Sequence, residues 1–107
     1  MARETDRPNP VRFAKALADD TRQEIMAVCC CHWLSVGEIV DRIGVSQPTV
    51  SHHLAVLREA GLVNIRPEGK QTFYSLNQDR VAFCCGQLLQ VFAPESEANG
   101  ALRVARS

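Results

Sequence analysis

Aromatic side chains, net charge and long apolar runs are all scarce in this sequence. Phe, Trp and Tyr make up 6% of its 107 residues, and 12 Lys and Arg balance 12 Asp and Glu. The balanced charge removes the simplest argument for a nucleic-acid partner, so that function has to be argued from a motif. No run reaches the roughly 18 apolar residues of a membrane span, and the charged start has no apolar signal core. We therefore expect a cytoplasmic protein without a membrane partner.

The patterns that are present predict one small, mainly helical domain. A length of 107 residues fits a single domain. Apolar spacing predicts four helices, then a small β-hairpin, then a fifth helix, which gives a fold that is mainly α. The first helix begins near Pro10, and Pro94 stops the last. We expect this domain to span residues 10–93, between flexible tails at residues 1–9 and 94–107.

The segment between residues 35 and 76 has the element order of a winged helix-turn-helix. Ser35 and Glu38 form a predicted capping box for a third helix that ends at Gly44. The fourth helix has Pro48 in its first turn and is followed at once by a hairpin. In this arrangement the second helix of the pair enters the major groove of DNA.

Short polar side chains on the outward face of the fourth helix are suited to base edges and phosphates. Base rates favour a merely solvated helix face for an arbitrary amphipathic helix, but the hairpin that follows favours DNA contact. Of the two adjacent histidines, either can face DNA or be structural. The predicted DNA-binding residues are Ser46, Gln47, Thr49, Ser51, His52 and His53 in the helix, and Arg66 and Lys70 in the hairpin.

Four stretches, ALADDTRQEIM, LSVGEIV, SQPTVSHHLAVLREAGLV and EGKQTFYSL, together resemble the ArsR/SmtB family of bacterial metal-responsive repressors. The resemblance covers about residues 11–93. It implies an α-α-α-α-β-β-α winged-helix homodimer, with the first and last helices at the interface and the 66–72 hairpin as the wing. It also implies a transcriptional repressor, not an enzyme, whose partner is double-stranded operator DNA rather than a small organic substrate.

The five cysteines form two groups, one at the second predicted helix and one on the last. Thiols in a reducing cytoplasm are more often metal-binding, catalytic or redox-active than part of a disulfide framework. Cys29 follows Ile25 by four residues on an apolar stripe, so we expect it to pack in the core. A thiol enzyme is disfavoured, because the sequence contains neither a CxxC motif nor a phosphate-cradling loop. Trp33 is expected to cover the core.

Two metal-binding patterns of the family do not match this chain. Ser35 and Gly37 stand where the third-helix Cys-Val-Cys motif would place its thiols, and the last helix has no histidine. The remaining thiols predict a site of Cys30, Cys31, Cys84 and Cys85 on the second and last helices. Arsenite or antimonite is the expected inducer, with Cd(II), Pb(II) or Zn(II) as alternatives. A redox or persulfide switch at the same cysteines is the alternative function.

Overall fold

The computed structural model describes residues 10–97, so the tail predicted at residues 1–9 and residues 98–107 of the second predicted tail lie outside the described residues. The described part forms a winged helix-turn-helix, as predicted, in which one additional short strand precedes the third helix. The elements are α1 (Pro10–Leu17), α2 (Asp20–Val28), β1 (Leu34–Ser35), α3 (Val36–Ile43), α4 (Gln47–Glu59), β2 (Val63–Glu68), β3 (Gln71–Leu76) and α5 (Gln78–Phe92).

Local capping sets the ends of the helices near the predicted DNA-binding segment. The Asp19 carboxylate caps α2 by accepting a hydrogen bond from the Arg22 amide at 3.0 Å. The predicted capping box of α3 is confirmed, with Ser35 and Glu38 exchanging hydrogen bonds of 3.0 and 3.2 Å. Gly44 ends that helix with a φ of 81°, a left-handed conformation that favours glycine. The turn between α3 and α4 is therefore determined by local chemistry.

The wing contains a third strand that the sequence analysis missed. β1 pairs antiparallel with β3, which lies between β1 and β2 in the sheet. Two residues are too few to show a period-two pattern, so no local signal could have revealed this strand. Its pairing of Leu34 with Tyr74 fastens the segment after the three consecutive cysteines to the hairpin. The cysteine segment and the wing are thus neighbours.

The core lies where α1 to α5 converge on the inner side of the hairpin. Its most completely buried side chains are Phe13, Ile25, Cys29, Ile39, Val50, Leu57, Leu62 and Cys84. The prediction that Cys29 packs in the core is confirmed, since its exposure is 0%. No helix within residues 10–97 is long and apolar enough to cross a membrane.

An apolar surface remains exposed on the first and last helices. Val11 of α1 is 63% exposed, and on α5 Phe83, Val91 and Phe92 are 48%, 67% and 79% exposed. α1 and α5 contact each other in the folded chain, so these side chains belong to neighbouring elements. Large exposed apolar side chains on neighbouring elements are consistent with a protein–protein interface there.

Candidate DNA-binding surface and cysteine turn

The N-terminal half of α4 presents most of the predicted DNA-binding residues to solvent. Ser46 caps this helix, and its hydroxyl lies 2.9 Å from the Thr49 hydroxyl and accepts from the Thr49 amide at 3.4 Å. Val50, Leu54 and Leu57 face the core, so the polar side of the helix points outward. The exposed predicted residues are Ser46, Gln47, Thr49, Ser51 and His52.

His53 does not join that exposed group, and its expected outward position is wrong. Its exposure is 8%, and Nδ1 lies 3.0 Å from a terminal guanidinium nitrogen of Arg22. Because arginine only donates, Nδ1 accepts and the imidazole is neutral with its proton on Nε2, which lies 3.9 Å from the Asp19 carboxylate. Burial lowers the pKa of His53, although Asp19 opposes this effect. His53 occupies the i+3 position from Val50 on the buried stripe of α4.

Arg22 connects His53 to the first helix, a role that sequence reasoning missed. Its Nε donates to the Ala16 carbonyl at 2.8 Å, and its second terminal nitrogen donates to the Lys15 carbonyl at 3.1 Å. These carbonyls belong to the last turn of α1, where helix carbonyls lack partners within the helix. A single guanidinium on α2 therefore links the C-terminal end of α1 to the middle of α4.

Arg66 and Lys70, the two predicted DNA contacts of the wing, are both exposed. The Arg66 guanidinium carbon lies 4.5 Å from the centre of the Trp33 ring and 5.9 Å from that of Phe73. Its Nε also lies 3.2 Å from the Glu68 carboxylate. Trp33 is 38% exposed, so its expected position over the core is wrong. Its ring stacks on the wing arginine instead.

A shallow cleft between α4 and β3 adds a basic residue to this surface. Arg58 is one of its lining residues and follows Ser51 by seven residues, which is two helical turns along the same side of α4. The i to i+7 spacing from Ser51 was the available sequence signal for including Arg58. The residues that line the cleft are Ser51, Leu54, Ala55, Arg58 and Tyr74.

The three consecutive cysteines lie at and after the end of α2, not along it as predicted. The helix ends at Val28, Cys29 is its C-cap, and Cys30 and Cys31 belong to the turn that follows. Burial raises the pKa of Cys29 to about 11, with a smaller opposing effect from Arg42. A thiol held neutral and buried in this way is inert, so Cys29 has a packing role.

Cys30 and Cys31 form a pair of neighbouring thiols at the surface, called here the thiol pair. Their sulfurs lie 3.6 Å apart and share a hydrogen bond, with Cys31 exposed and Cys30 partly buried. That hydrogen bond, followed by burial, raises the pKa of Cys30. Gln78, the first residue of α5, donates to the Cys30 carbonyl at 2.7 Å and contacts the Cys31 sulfur at 4.0 Å. The thiol pair therefore lies against the N-terminal end of α5.

The other two predicted ligands do not complete a metal site within one chain. Cys84 is 1% exposed in the core, and Cys85 is partly buried on the neighbouring face of α5. Within residues 10–97, no three Cys, His, Asp or Glu side chains lie close enough together to hold one ion. Cys30 and Cys31 lie beyond the end of α2 and Cys84 is buried in the core, so the two groups of thiols do not form one cluster.

Comparison with known proteins gives consistent matches to transcriptional regulators. Residues 19–64 match the family model "Bacterial regulatory protein, arsR family". Over 82 residues the chain is 42% identical to the biofilm growth-associated repressor of Agrobacterium fabrum, covering 76% of this chain and 70% of that protein. Over 71 residues it is 41% identical to the probable mercury resistance operon repressor of Streptomyces lividans, covering 66% of this chain and 57% of that protein.

The fold also matches solved structures of winged-helix regulators. One is the solution structure of a homodimeric winged helix-turn-helix DNA-binding domain from Mycobacterium bovis, described as a possible ArsR-family regulator. The two chains are 31% identical with a TM-score of 0.63, and the match covers 79% of this chain and 78% of that one. Both the sequence and the fold are therefore similar to those of winged-helix transcriptional regulators.

Proposed function

The chain belongs to the arsR family of bacterial regulatory proteins and is a DNA-binding transcriptional repressor, and from this premise we propose that a thiophilic ion at the thiol pair releases it from its operator. The observation that carries the proposal is the separation of 3.6 Å between the partly exposed Cys30 and Cys31 sulfurs. In the proposed complex, the N-terminal half of α4 contacts base edges in the major groove, and Arg66 and Lys70 contact flanking phosphates.

The spacing of the thiol pair suits two ligand positions in one coordination shell. Metal–sulfur bonds of about 2.3 Å in a tetrahedral shell place neighbouring sulfurs about 3.8 Å apart. The observed 3.6 Å needs little adjustment to reach that value. Thiolates select soft ions, so arsenite or antimonite is the proposed inducer, with Cd(II), Pb(II) and Zn(II) as alternatives. The similarity to a probable mercury resistance operon repressor also favours a soft ion.

Cys84 and Cys85 enter this proposal only through a movement of α5. Cys84 is 1% exposed, so it reaches an ion beside the thiol pair only if the helix shifts or turns. α5 also carries the exposed Phe83, Val91 and Phe92 that we assign to the homodimer interface. A shift of α5 would therefore change the distance between the two α4 helices of the proposed dimer, which contact the two half-sites. The coupling free energy between two allosteric sites is typically about 1 to 3 kcal/mol.

The test is operator binding by reduced protein, followed by fluorescence anisotropy. The probe is a labelled duplex selected from a random pool by the protein itself, titrated with sodium arsenite and then cadmium chloride. We expect both ions to release the wild-type protein and Cys30→Ser/Cys31→Ser to stay bound. If Cys84→Ser/Cys85→Ser also stays bound, the inducer site has four thiols, and if it is released normally, the thiol pair suffices. Wild-type protein that neither ion releases would contradict the proposal.

A thiol redox or persulfide switch at the same cysteines is the second candidate, favoured by the exposure of Cys31. Adjacent residues have Cα atoms about 3.8 Å apart, below the roughly 4.4 to 6.8 Å usual for disulfides, so a direct Cys30–Cys31 disulfide is strained. A persulfide donor avoids that strain by transferring one sulfur atom to a thiolate and leaving as a thiol. Mass spectrometry of donor-treated protein tests this, since the gain of one sulfur at Cys31 should accompany loss of operator binding.

A further inference from the structure

The turn that follows α2 and carries the thiol pair contacts the wing through the stacking of Trp33 on Arg66. Trp33 follows Cys31 by two residues and immediately precedes β1, whose Leu34 pairs with Tyr74 of β3. The Arg66 guanidinium carbon is 4.5 Å from the centre of the Trp33 ring. Arg66 itself pairs across the sheet with Phe73, whose ring centre is 5.9 Å from the same carbon. Two aromatic rings thus hold the predicted phosphate-binding arginine.

We propose that Trp33 is a positioning residue for DNA binding, which orients Arg66 toward the operator backbone and transmits ion binding at the thiol pair to the wing. An aromatic ring engages the face of a guanidinium, whereas the N–H donors lie in its plane. A stacked arginine can therefore still donate to a phosphate, and the stack removes rotamer freedom that binding would otherwise have to restrict. The part that concerns ion binding rests on the proposed function, and the positioning part does not.

The anchoring of the turn explains why an ion would act on Trp33. The Cys29 carbonyl accepts from the Leu76 amide at 2.9 Å, and the Cys30 carbonyl accepts from Gln78 at 2.7 Å. These bonds hold the start of the turn to β3 and α5. When one ion binds both sulfurs of the thiol pair, the backbone therefore shifts at Cys31 and the residues that follow it. Trp33 is the large side chain there that contacts the DNA-binding surface.

A double-mutant cycle without any ion tests the positioning role. Operator affinity is measured for Trp33→Leu, Arg66→Ala and the double variant, using the same selected duplex. We expect each single change to weaken binding, that of Trp33→Leu by about 2- to 5-fold, the range of an exposed cation–π contact. The double variant should bind no more weakly than Arg66→Ala alone, because the ring acts through the arginine. Trp33→Phe keeps an aromatic face and should recover most of the lost affinity.

Lys70→Ala is the matched control, because it removes one positive charge from the same wing without touching the stack. Its effect should add to that of Trp33→Leu, since distant sites are usually independent. Additive effects of Trp33→Leu and Arg66→Ala would overturn the positioning role. Because Trp33 is the only tryptophan of the chain, its emission reports the contact in folded protein without replacing the ring. An emission spectrum unchanged by Arg66→Ala would overturn the role independently of how Trp33→Leu folds.

Arsenite and cadmium titrations then test transmission. We expect either ion to change Trp33 emission in the wild type but not in Cys30→Ser/Cys31→Ser, and Trp33→Leu to lose most of the ion-dependent change in operator Kd. Full release of Trp33→Leu by the ion would overturn transmission while leaving the proposed inducer intact. If the ions fail to release the wild-type protein, the proposed function fails, and the ion-free cycle still decides the positioning role.

Discussion

At the scale of single residues, His53 shows how a polar side chain in a recognition helix can serve the fold. It accepts from Arg22 at 3.0 Å and lies 3.9 Å from the Asp19 carboxylate. The charged and titratable groups facing it are Asp19 and Arg22 on the α2 side and His52 on its own helix. Desolvation outweighs the carboxylate, so the pKa of His53 is lowered from its usual 6.5. The folded chain therefore favours the neutral form of the His53 imidazole.

This shift predicts a loss of stability in mild acid. Because the folded pKa lies below 6.5, the unfolded chain binds more protons between the two pKa values, and stability rises with pH there. The contribution of His53 to the free energy of unfolding is complete above pH 6.5 and is lost as the pH falls toward the pKa of His53 in the folded chain. We expect the Tm to fall between about pH 7.5 and about pH 5.5. His53→Asn, which keeps an acceptor for Arg22 but does not titrate, should show a smaller fall.

Thermal unfolding followed by circular dichroism across that pH range measures the difference. His52→Asn is the control, since His52 is exposed next to the same position and should retain the wild-type pH dependence. Parallel pH profiles for wild type and His53→Asn would show that His53 does not cause the effect. Asp19 titrates in a separate window, because capping Arg22 lowers its pKa below 3.8, so its contribution is lost only in stronger acid.

At the scale of elements, the Arg22 guanidinium links three helices, α1, α2 and α4. Its two donations to the Lys15 and Ala16 carbonyls close the end of α1, and its contact with His53 reaches α4. α1 carries part of the proposed dimer surface and α4 the proposed base contacts. Arg22 therefore fixes the position of α4 relative to the proposed dimer interface, which would set the distance between the two α4 helices.

We expect Arg22→Ala to lower the free energy of unfolding by about 1 to 3 kcal/mol, since it leaves a buried histidine nitrogen without its donor. Arg22→Lys should recover only part of this loss, because a single ammonium cannot reproduce the planar fork of donors. Urea unfolding measures both values. Arg58→Ala is the control, as an exposed arginine whose removal should change stability by less than about 0.5 kcal/mol. An Arg22→Ala protein as stable as the control would contradict the bridging role.

At the scale of the whole molecule, the proposed function uses two copies of the chain. Winged-helix repressors read two half-sites about one helical turn of DNA apart, so the dimer sets the spacing of the recognition helices. The exposed apolar residues Val11, Phe83, Val91 and Phe92 lie on α1 and α5, on the elements predicted to form the interface. Burying them against a second copy removes apolar surface from water, which is the main favourable contribution to association.

Phe83→Asp/Val91→Asp should therefore convert the proposed dimer to a monomer at micromolar concentration, because each carboxylate would be buried without a partner. The operator affinity should fall with it, since one subunit contacts only one half-site. Sedimentation velocity gives the oligomeric state. Ile65→Asp is the control, because Ile65 is 39% exposed on the wing and should leave the dimer intact. A double variant that still sediments as a dimer would place the interface elsewhere.

The order of the helices, the hairpin and the ends of α3 could be predicted from the sequence, because each depends on contacts between near neighbours. The capping box of Ser35 and Glu38 and the left-handed Gly44 act within one or two turns, and apolar spacing selects the buried face of α4. The exposure of the polar residues from Ser46 to His52 follows from the same spacing.

Which chemical groups meet across the fold depends instead on long-range packing. Arg22 and His53 are 31 positions apart in sequence, and the stacking of Trp33 on Arg66 depends on pairing a two-residue strand with β3. The same holds for the cysteines, because α2 ends at Val28 before the thiol pair and Cys84 is buried in the core. Periodicity reports which face of an element is buried. It carries no information on which side chain of another element lies opposite that face, and this is why the neighbours of each site residue appeared only in the folded chain.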